Sequence, residues 1–350
     1  MIRLTLRQSR AQALSALAVL AVVAIAVAIT GPHLAYLYDT TVAACKAPLD
    51  CNSVSRNFVG NYSLLQVGLG ALILVIPALI GMFLGAPLIA RELEAGTYRL
   101  AWTQSVTRTR WFTVKVGLVG IAGAAATGLL SLLLTWWFTP IDKVNMNGFS
   151  PAVFDERGII PIGYTAFAFA LGLTAGLLIR RTVPAMAATL VIFVAVWVGA
   201  TYWLRPNLVP PATSAMALSS SSNMGFVPSS AGVTFMADAP NIPNALVVSS
   251  RIVHTADHAP TDQELHQFLV TACPNVVNPP APPSGLSRAP ANQAVFQDCI
   301  TQLSGKYHLA VTYQPASRYW AFQWWETAIF VGLAAILVGF GSWWIRRRIT

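Results

Sequence analysis

Charge is what this sequence has least of: only 10% of its 350 residues are Asp, Glu, Lys or Arg, against about 25% in an ordinary soluble domain. That scarcity excludes a chain that meets water on every side. A second absence concerns nucleotides. A phosphate-cradling loop needs glycines and a lysine at fixed spacing, and neither Gly305-Lys306 nor any other stretch supplies it, so the chain carries no ATP site of its own. A third is catalytic: acid, base and nucleophile residues do not cluster at any one interface, which argues against a membrane enzyme. Histidine is sparse as well. His254, His258 and His266 share a polar segment without a Cys or carboxylate at ligand spacing, so no metal and no resident cofactor are expected.

What the sequence has in place of charge is long apolar runs. The hydrophobic content is 55% and the mean hydropathy is +0.59. The apolar residues gather in blocks of roughly twenty, the number a helix needs to cross ~30 Å of hydrocarbon. Six blocks are read from hydropathy: Ala11 to Thr30, Ser63 to Leu84, Val116 to Phe138, Pro161 to Ile179, Val183 to Leu204, and Ala321 to Ile345. The first also resembles a cleavable signal, with Arg3, Arg7 and Arg10 ahead of it and Ala26-Val27-Ala28 inside it, although its length exceeds the usual signal core. The expected fold class is an all-α membrane protein of six transmembrane helices. It carries a small α+β extracytoplasmic domain between the fifth and sixth.

The basic residues set the expected orientation. With the N-terminus inside, thirteen Lys and Arg fall on cytoplasmic segments against only Glu92 and Glu94, as the positive-inside rule requires. Both termini are then cytoplasmic. The net charge of +9 reports topology and anionic lipid headgroups, and no nucleic acid is expected as a partner. The cysteines fit the same arrangement. Cys45 and Cys51 fall in the first outer loop and Cys273 and Cys299 in the last, all on the oxidising side. Pairing within each loop is the simplest of three possible connectivities.

Along the chain, residues 1–204 hold five spans, 205–320 form the outer domain, and 321–350 hold the sixth span with a basic tail. The first outer loop, Gly31 to Tyr62, reads as short and polar, and Thr139 to Ile160 as turns around Pro140, Gly148, Pro151 and Gly158. In the outer domain the first third reads as irregular. Ala245 to Ile252 and Tyr307 to Tyr313 read as strands, and Thr261 to Ala272 as a helix opened by Thr261 and Glu264 at capping-box spacing. Asn292 to Leu303 is a second helix.

Within the spans, small residues recur four apart: Gly81 and Gly85, then Gly120, Ala124 and Gly128, then Ala168, Gly172 and Gly176. Such stripes let helices approach closely, either within one subunit or at a subunit interface. Mid-span ionisable groups, the usual mark of ion-coupled carriers, are absent. Glu326 stands one turn into the sixth span beside Trp324 and Trp325. It is expected at the outer interface, reaching headgroups or the outer domain, with an outer gate as the sharper alternative.

The segment from Gly85 to Lys115 is the most charged. From Ile89 to Trp102 it places Ile89, Leu93 and Leu100 on one helical face, so an amphipathic interfacial helix is expected. The run Arg91-Glu92-Leu93-Glu94-Ala95-Gly96-Thr97, then Thr103-Gln104-Ser105-Val106-Thr107-Arg108 and Lys115, resembles the first cytoplasmic loop of type-2 ATP-binding-cassette (ABC) transporter permeases. That loop typically reads R-E-x-E-x-G-T, then T-x-P-V-x-R and a lysine. Tyr313 to Trp320 followed by Gln323-Trp324-Trp325-Glu326 is similar to actinobacterial permeases of the group. Ser105 departs from the pattern, where proline is commoner.

The resemblance implies that residues 85–115 dock onto a separate ABC ATP-binding subunit, with Arg91, Glu92, Glu94, Gly96, Thr97 and Arg108 at the motif positions. It also implies a second permease chain, like or unlike, in a bacterial cell membrane, and an ATP-driven exporter as the whole. The competing expectation is a membrane-anchored outer domain that senses a ligand without transport.

Overall fold

The computed structural model describes residues 10–46, 50–96, 107–218, 224–230, 232–237, 242–255, 258–277 and 293–348. The chain divides into two units, Met1–Arg205 with Ser317–Thr350, and Pro206–Ala316.

In the first unit, among the described residues, six helices are long and apolar enough to cross a membrane. They are α1 (Arg10–Leu37), α2 (Cys51–Leu79) continuing through a wide turn at Ile80–Gly85 into α3 (Ala86–Glu94), α4 (Arg108–Asn145), α6 (Ile160–Ile179), α7 (Thr182–Gly199) and α11 (Tyr319–Arg348). The short helix α5 (Pro151–Glu156) lies between α4 and α6. The apolar blocks mark the centres of these helices and understate their length. The expected polar loop Gly31 to Tyr62 is mostly helical: α1 runs on past Pro32 into a turn at Tyr38–Val42, and α2 starts at Cys51. Asp50 caps α2 by accepting from the backbone N–H of Asn52 at 3.1 Å and of Ser53 at 3.3 Å. Likewise α4 continues through Pro140 to Asn145 and stops at Met146, whose φ of 47° is left-handed. The expected turns from Thr139 to Ile160 are therefore confined to its second half. A helix leaving hydrocarbon keeps its backbone bonded in the interface, so polar side chains there do not end it.

α6 sits at the centre. It is buried along most of its length, and α2, α3, α4, α7 and α11 all pack on it. Its small residues allow this. A Cβ added at Gly81 would lie 2.5 Å from the Ala168 carbonyl oxygen, and one at Gly85 would lie 2.6 Å from that of Phe169. Gly172 faces the Gly81 carbonyl in return, and Gly176 that of Ala86. Helix α4 packs its own stripe on larger α6 side chains: Gly120 meets the Phe169 ring and Gly128 meets Ile162, while Ala124 is half-buried. A second core joins α1, α2 and α4 through Val27, Leu34, Ile73, Leu134 and Trp137, and the Trp137 indole donates to Thr30 Oγ1 at 2.8 Å. The opposite faces expose Val22, Ile25, Leu64, Ile121, Leu132, Val191 and Ile336, the surface that lipid solvates in a membrane-spanning bundle.

The second unit is α+β. Strand β5 (Tyr307–Gln314) lies between β1 (Ala212–Ala217) and β4 (Leu246–His254), antiparallel to both. A separate hairpin pairs β2 (Met224–Ser229) with β3 (Gly232–Ala237). The first third is thus built of strands and not irregular as expected, although Ser219 to Ser222 lie outside the described residues. β1 reads Ala-Thr-Ser-Ala-Met-Ala, poor in strand formers, and its partner β5 is what holds it extended. Helix α8 (Asp262–Ala272) opens with the capping box of Thr261 and Glu264. A one-turn helix, α9 (Pro274–Val277), follows it, and α10 is Gln293–Ser304. Leu265, Leu269, Ile300, Leu303, Leu309 and Val311 fill the core. The sulfurs of Cys45 and Cys51 adjoin in disulfide geometry, as do those of Cys273 and Cys299, with Cα separations of 5.8 and 5.4 Å.

Candidate functional site

The end of the bundle formed by α3, the start of α4 and the start of α7 carries the motif residues. Because α3 continues α2, its register is fixed by the span below. Ala86, Ile89 and Ala90 turn toward the bundle and are buried, while Arg91 and Glu94 are exposed. Ile89 packs into a cluster with Trp111, Phe112, Leu173, Leu177 and Ile345, and Leu93 lies at its edge. The amphipathic pattern is present, but the helix stops at Glu94, short of the expected Trp102. Gly96 follows with φ +69°, a left-handed conformation that suits glycine. Thr97, Arg99 and Leu100 lie outside the described residues.

Two acidic motif residues bond to neighbouring spans, Glu92 half-buried and Glu94 at the exposed surface. Glu92 forms an ion pair with Lys115 of α4, whose Nζ also lies 4.8 Å from the centroid of the Trp111 ring. Glu94 accepts from the Thr182 hydroxyl at 2.8 Å and the Thr182 backbone N–H at 3.1 Å, capping the first turn of α7. Arg108 is the first residue of α4, after the Thr107 cap that accepts from the Arg110 backbone N–H at 3.4 Å; its side chain is outside the described set. The motif therefore fastens α3 to two other spans and leaves Arg91 facing out.

The opposite end holds a buried polar cluster that sequence reasoning missed. Glu326 does not reach out from the bundle: it is 1% exposed. Its Oε2 accepts from Arg205 Nε at 3.0 Å, and its Oε1 from Arg205 Nη2 at 2.9 Å and from the Tyr164 hydroxyl at 2.7 Å. Arg205 also pairs with Asp155 and stacks 4.2 Å from the Phe154 ring centroid. Asp155 Oδ2 accepts from the Trp197 indole at 3.0 Å and from Thr201 Oγ1 at 3.1 Å. Arg205 thus belongs to the spans, where the helix of α7 runs on as Arg205–Asn207, and it does not open the outer domain as expected. Beside this set, Arg157 bonds Asp142 at 2.9 and 3.2 Å and Glu156 at 3.0 Å, over the Phe138 ring. Gln323 accepts from the backbone N–H of Ile159 at 3.0 Å and of Ile160 at 3.3 Å, satisfying the first turn of α6. A charge of each sign at matching depth, one past the fifth block and one inside the sixth, is the sequence signal that pairs Arg205 with Glu326.

In the second unit, the His254 and His258 rings stack 4.9 Å apart and His266 Nδ1 lies 2.9 Å from the Val233 carbonyl. Among the described residues no three His, Cys, Asp or Glu side chains gather at metal-binding distance.

No curated protein and no solved structure matches the chain. The family model described as ABC-2 membrane transporter related matches residues 17–205. That stretch spans α1 to α7 and includes both α3 and the Asp155 and Arg205 side of the buried cluster, more than half of the sequence. The chain is a multi-pass membrane protein and belongs to the ABC-2 membrane transporter related family.

Proposed function

We propose that the chain is the permease subunit of an ATP-driven ABC exporter, receiving the ATPase stroke through residues 85–115. The observation that carries this reading is the unbroken helical path from Cys51 to Glu94, fastened at its tail to α4 by Glu92 and Lys115 and to α7 by Glu94 and Thr182. A load applied to α3 reaches α2 along the helix and α4 and α7 through these two contacts. Glu92 and Glu94 act as internal fasteners. Arg91, Thr97 and Arg108 are left as the docking residues for an acidic surface on the ABC ATP-binding subunit.

In this reading both termini and residues 85–115 are cytoplasmic, and Pro206–Ala316 is extracytoplasmic. Both cysteine pairs are disulfides maintained by that oxidising side, the second worth about 2–4 kcal/mol to the small domain. A second permease chain, identical or not, completes the pathway. Membrane lipids bathe the outer faces, and the apolar span interiors suit an amphipathic or lipophilic cargo.

The test is purification of the full chain from its native membrane in mild detergent. A P-loop ATPase is expected to co-elute, to be lost from Arg91→Glu and Arg108→Glu, and to be retained by Asp298→Asn. A thiol introduced as Thr97→Cys should resist an impermeant reagent applied to intact cells. Labelling of that thiol from outside, or elution of the wild-type chain without an ATPase, overturns the proposal in favour of an anchored ligand-binding protein.

A further inference from the structure

The short helix α5 and the spans around it bring two carboxylates to one guanidinium where water does not reach. Asp155, Glu326 and Arg205 are each 1% exposed. With both acids ionised the set carries one uncompensated negative charge in a pocket walled by Phe154, Phe193 and Phe330, and burial of an unpaired charge is strongly unfavourable. The neighbours do not supply the missing positive charge. Arg157 is committed to Asp142 and Glu156, a group that is itself short of one positive charge. The titratable and charged groups around Asp155 are Glu326 and Tyr319 from α11, Tyr164 from α6, Arg205 from the end of the fifth span, Glu156 and Arg157 from its own segment, and Asp142 from α4. Among the described residues no lysine or histidine joins them.

The hydrogens give a second, separate count. Arg205 spends its Nε hydrogen on Glu326 Oε2 and its two Nη2 hydrogens on the short contacts to Asp155 Oδ1 and Glu326 Oε1; Nη2 also lies 3.4 Å from the Tyr164 oxygen, where that oxygen can only accept, and Nη1 points to the Pro151 carbonyl at 3.5 Å. Asp155 Oδ2 is served by Trp197 and Thr201. Tyr164 remains. Its oxygen lies 2.7 Å from Glu326 Oε1 and 3.0 Å from Asp155 Oδ1, and a phenol has one hydrogen to give. One of these two contacts has no hydrogen unless a carboxyl provides it.

We propose that this cluster is a buried binding site for one proton, held by the Asp155 and Glu326 pair, which keeps the set of Asp155, Arg205 and Glu326 neutral. Charge balance and the Tyr164 contacts both ask for the same single hydrogen. Burial pushes the Asp155 carboxyl up from its ordinary value, and repulsion from Glu326 adds to this against the pull of Arg205. When movement of α7 or α11 admits water, the neutral carboxyl ionises and the proton passes to solvent. Closing the cluster takes one proton back. Every opening of this end therefore exchanges one proton with the adjoining compartment, whichever motor drives it.

The test uses the purified full chain in lipid nanodiscs. Infrared difference spectra at neutral pH are expected to show, in the wild type, a carboxylic acid carbonyl band that belongs to this cluster. That band should be lost in both Asp155→Asn and Glu326→Gln, because either amide removes the need for the proton, and kept in Asp298→Asn. Wild-type stability should fall as pH rises from mildly acidic to alkaline, because a carboxyl whose folded pKa lies above its unfolded value stabilises only while protonated. Asp155→Asn should flatten that dependence. If a variant does not fold, titration of the wild-type band decides alone, by disappearing in step with the alkaline loss of stability. A wild type with no such band, or amide variants equally destabilised at every pH, overturns the proposal.

Discussion

Replacing Gly172 with alanine places a methyl group on the backbone of the wide turn Ile80–Gly85 and the first residue of α3, where they meet α6. The new Cβ would face the Gly81 carbonyl oxygen at less than contact distance, with the Ala86 nitrogen at 2.9 Å and the Gly81 carbonyl carbon at 3.0 Å. All three are backbone atoms, so no rotamer change relieves the clash. Ordinary contact begins near 3.4 Å, and the helices must part by about half an ångström at Ala86 and by more at the oxygen. Overpacking of this kind costs roughly 1–3 kcal/mol. Alanine also gains helix propensity worth up to about 1 kcal/mol, which a matched control removes. Gly68 lies in α2 with nothing within 4 Å of an added Cβ, so Gly68→Ala carries the propensity gain alone. The gap between the two variants is then the steric term, roughly 2 to 12 °C in unfolding temperature at about 2–4 °C per kcal/mol. Thermal unfolding of the purified chain, followed by size-exclusion chromatography after heating, reads it directly. Equal stability of Gly172→Ala and Gly68→Ala would refute backbone contact between α6 and the turn that joins α2 to α3.

Two further outcomes follow from single contacts. Lys115→Met keeps an apolar stem against Trp111 while stranding Glu92, and Glu92→Gln does the reverse. A denaturation cycle with the double variant should show a coupling of about 1–3 kcal/mol, below the full worth of a buried pair because the Glu92 side chain is 19% exposed; additive losses would dissolve the pair. In the second unit, the Thr261 backbone N–H bonded to Glu264 holds that carboxyl below its ordinary value. A depressed folded pKa gives stability that is present above the unfolded value and lost as pH falls through the folded one. The protection of amides in the first turn of α8, relative to their intrinsic exchange rate at each pH, should therefore fall on acidification, and Thr261→Ala should make it low already at neutral pH.

The six spans were legible because lipid demands about twenty uncharged residues in a row, a property of composition and not of partners. The capping box of α8 and the alternation of β5 were legible for a similar reason, since each is decided within a few residues. What escaped depends on residues far apart in the chain. β1 is extended because β5 pairs with it across about 95 positions. Asp155, Arg205 and Glu326 meet across 50 and 121 positions, and each alone looks like an interfacial charge. The small-residue stripes announced close helix contacts without saying which pairs with which. Gly81 and Gly85 pack on the region of Gly172, whereas Gly120 and Gly128 pack on side chains. The motif acids were found by resemblance, but their bonds to α4 and α7 follow from α3 inheriting the register of α2, which hydropathy does not report.

That inheritance bears on how the two ends of the bundle communicate. α3 rests on Gly172 and Gly176, and Tyr164 of the buried cluster lies eight and twelve residues earlier on the same helix, roughly 12 and 18 Å away at 1.5 Å per residue. Between them α6 has no internal proline, and its only proline is in its first turn. Its neighbours meet it partly through backbone atoms, which cannot rotate aside as side chains do. If the proposed ATPase stroke displaces α3, no soft layer at Gly172 absorbs it, and α6 moves as a rod that carries the Tyr164 hydroxyl with it. Because that hydroxyl touches both Asp155 and Glu326, a shift of a few tenths of an ångström unbalances the cluster before any side chain there has changed rotamer. Communication by this route requires α6 to stay rigid, so a glycine pair placed between Tyr164 and Gly172 would break it while leaving each end intact.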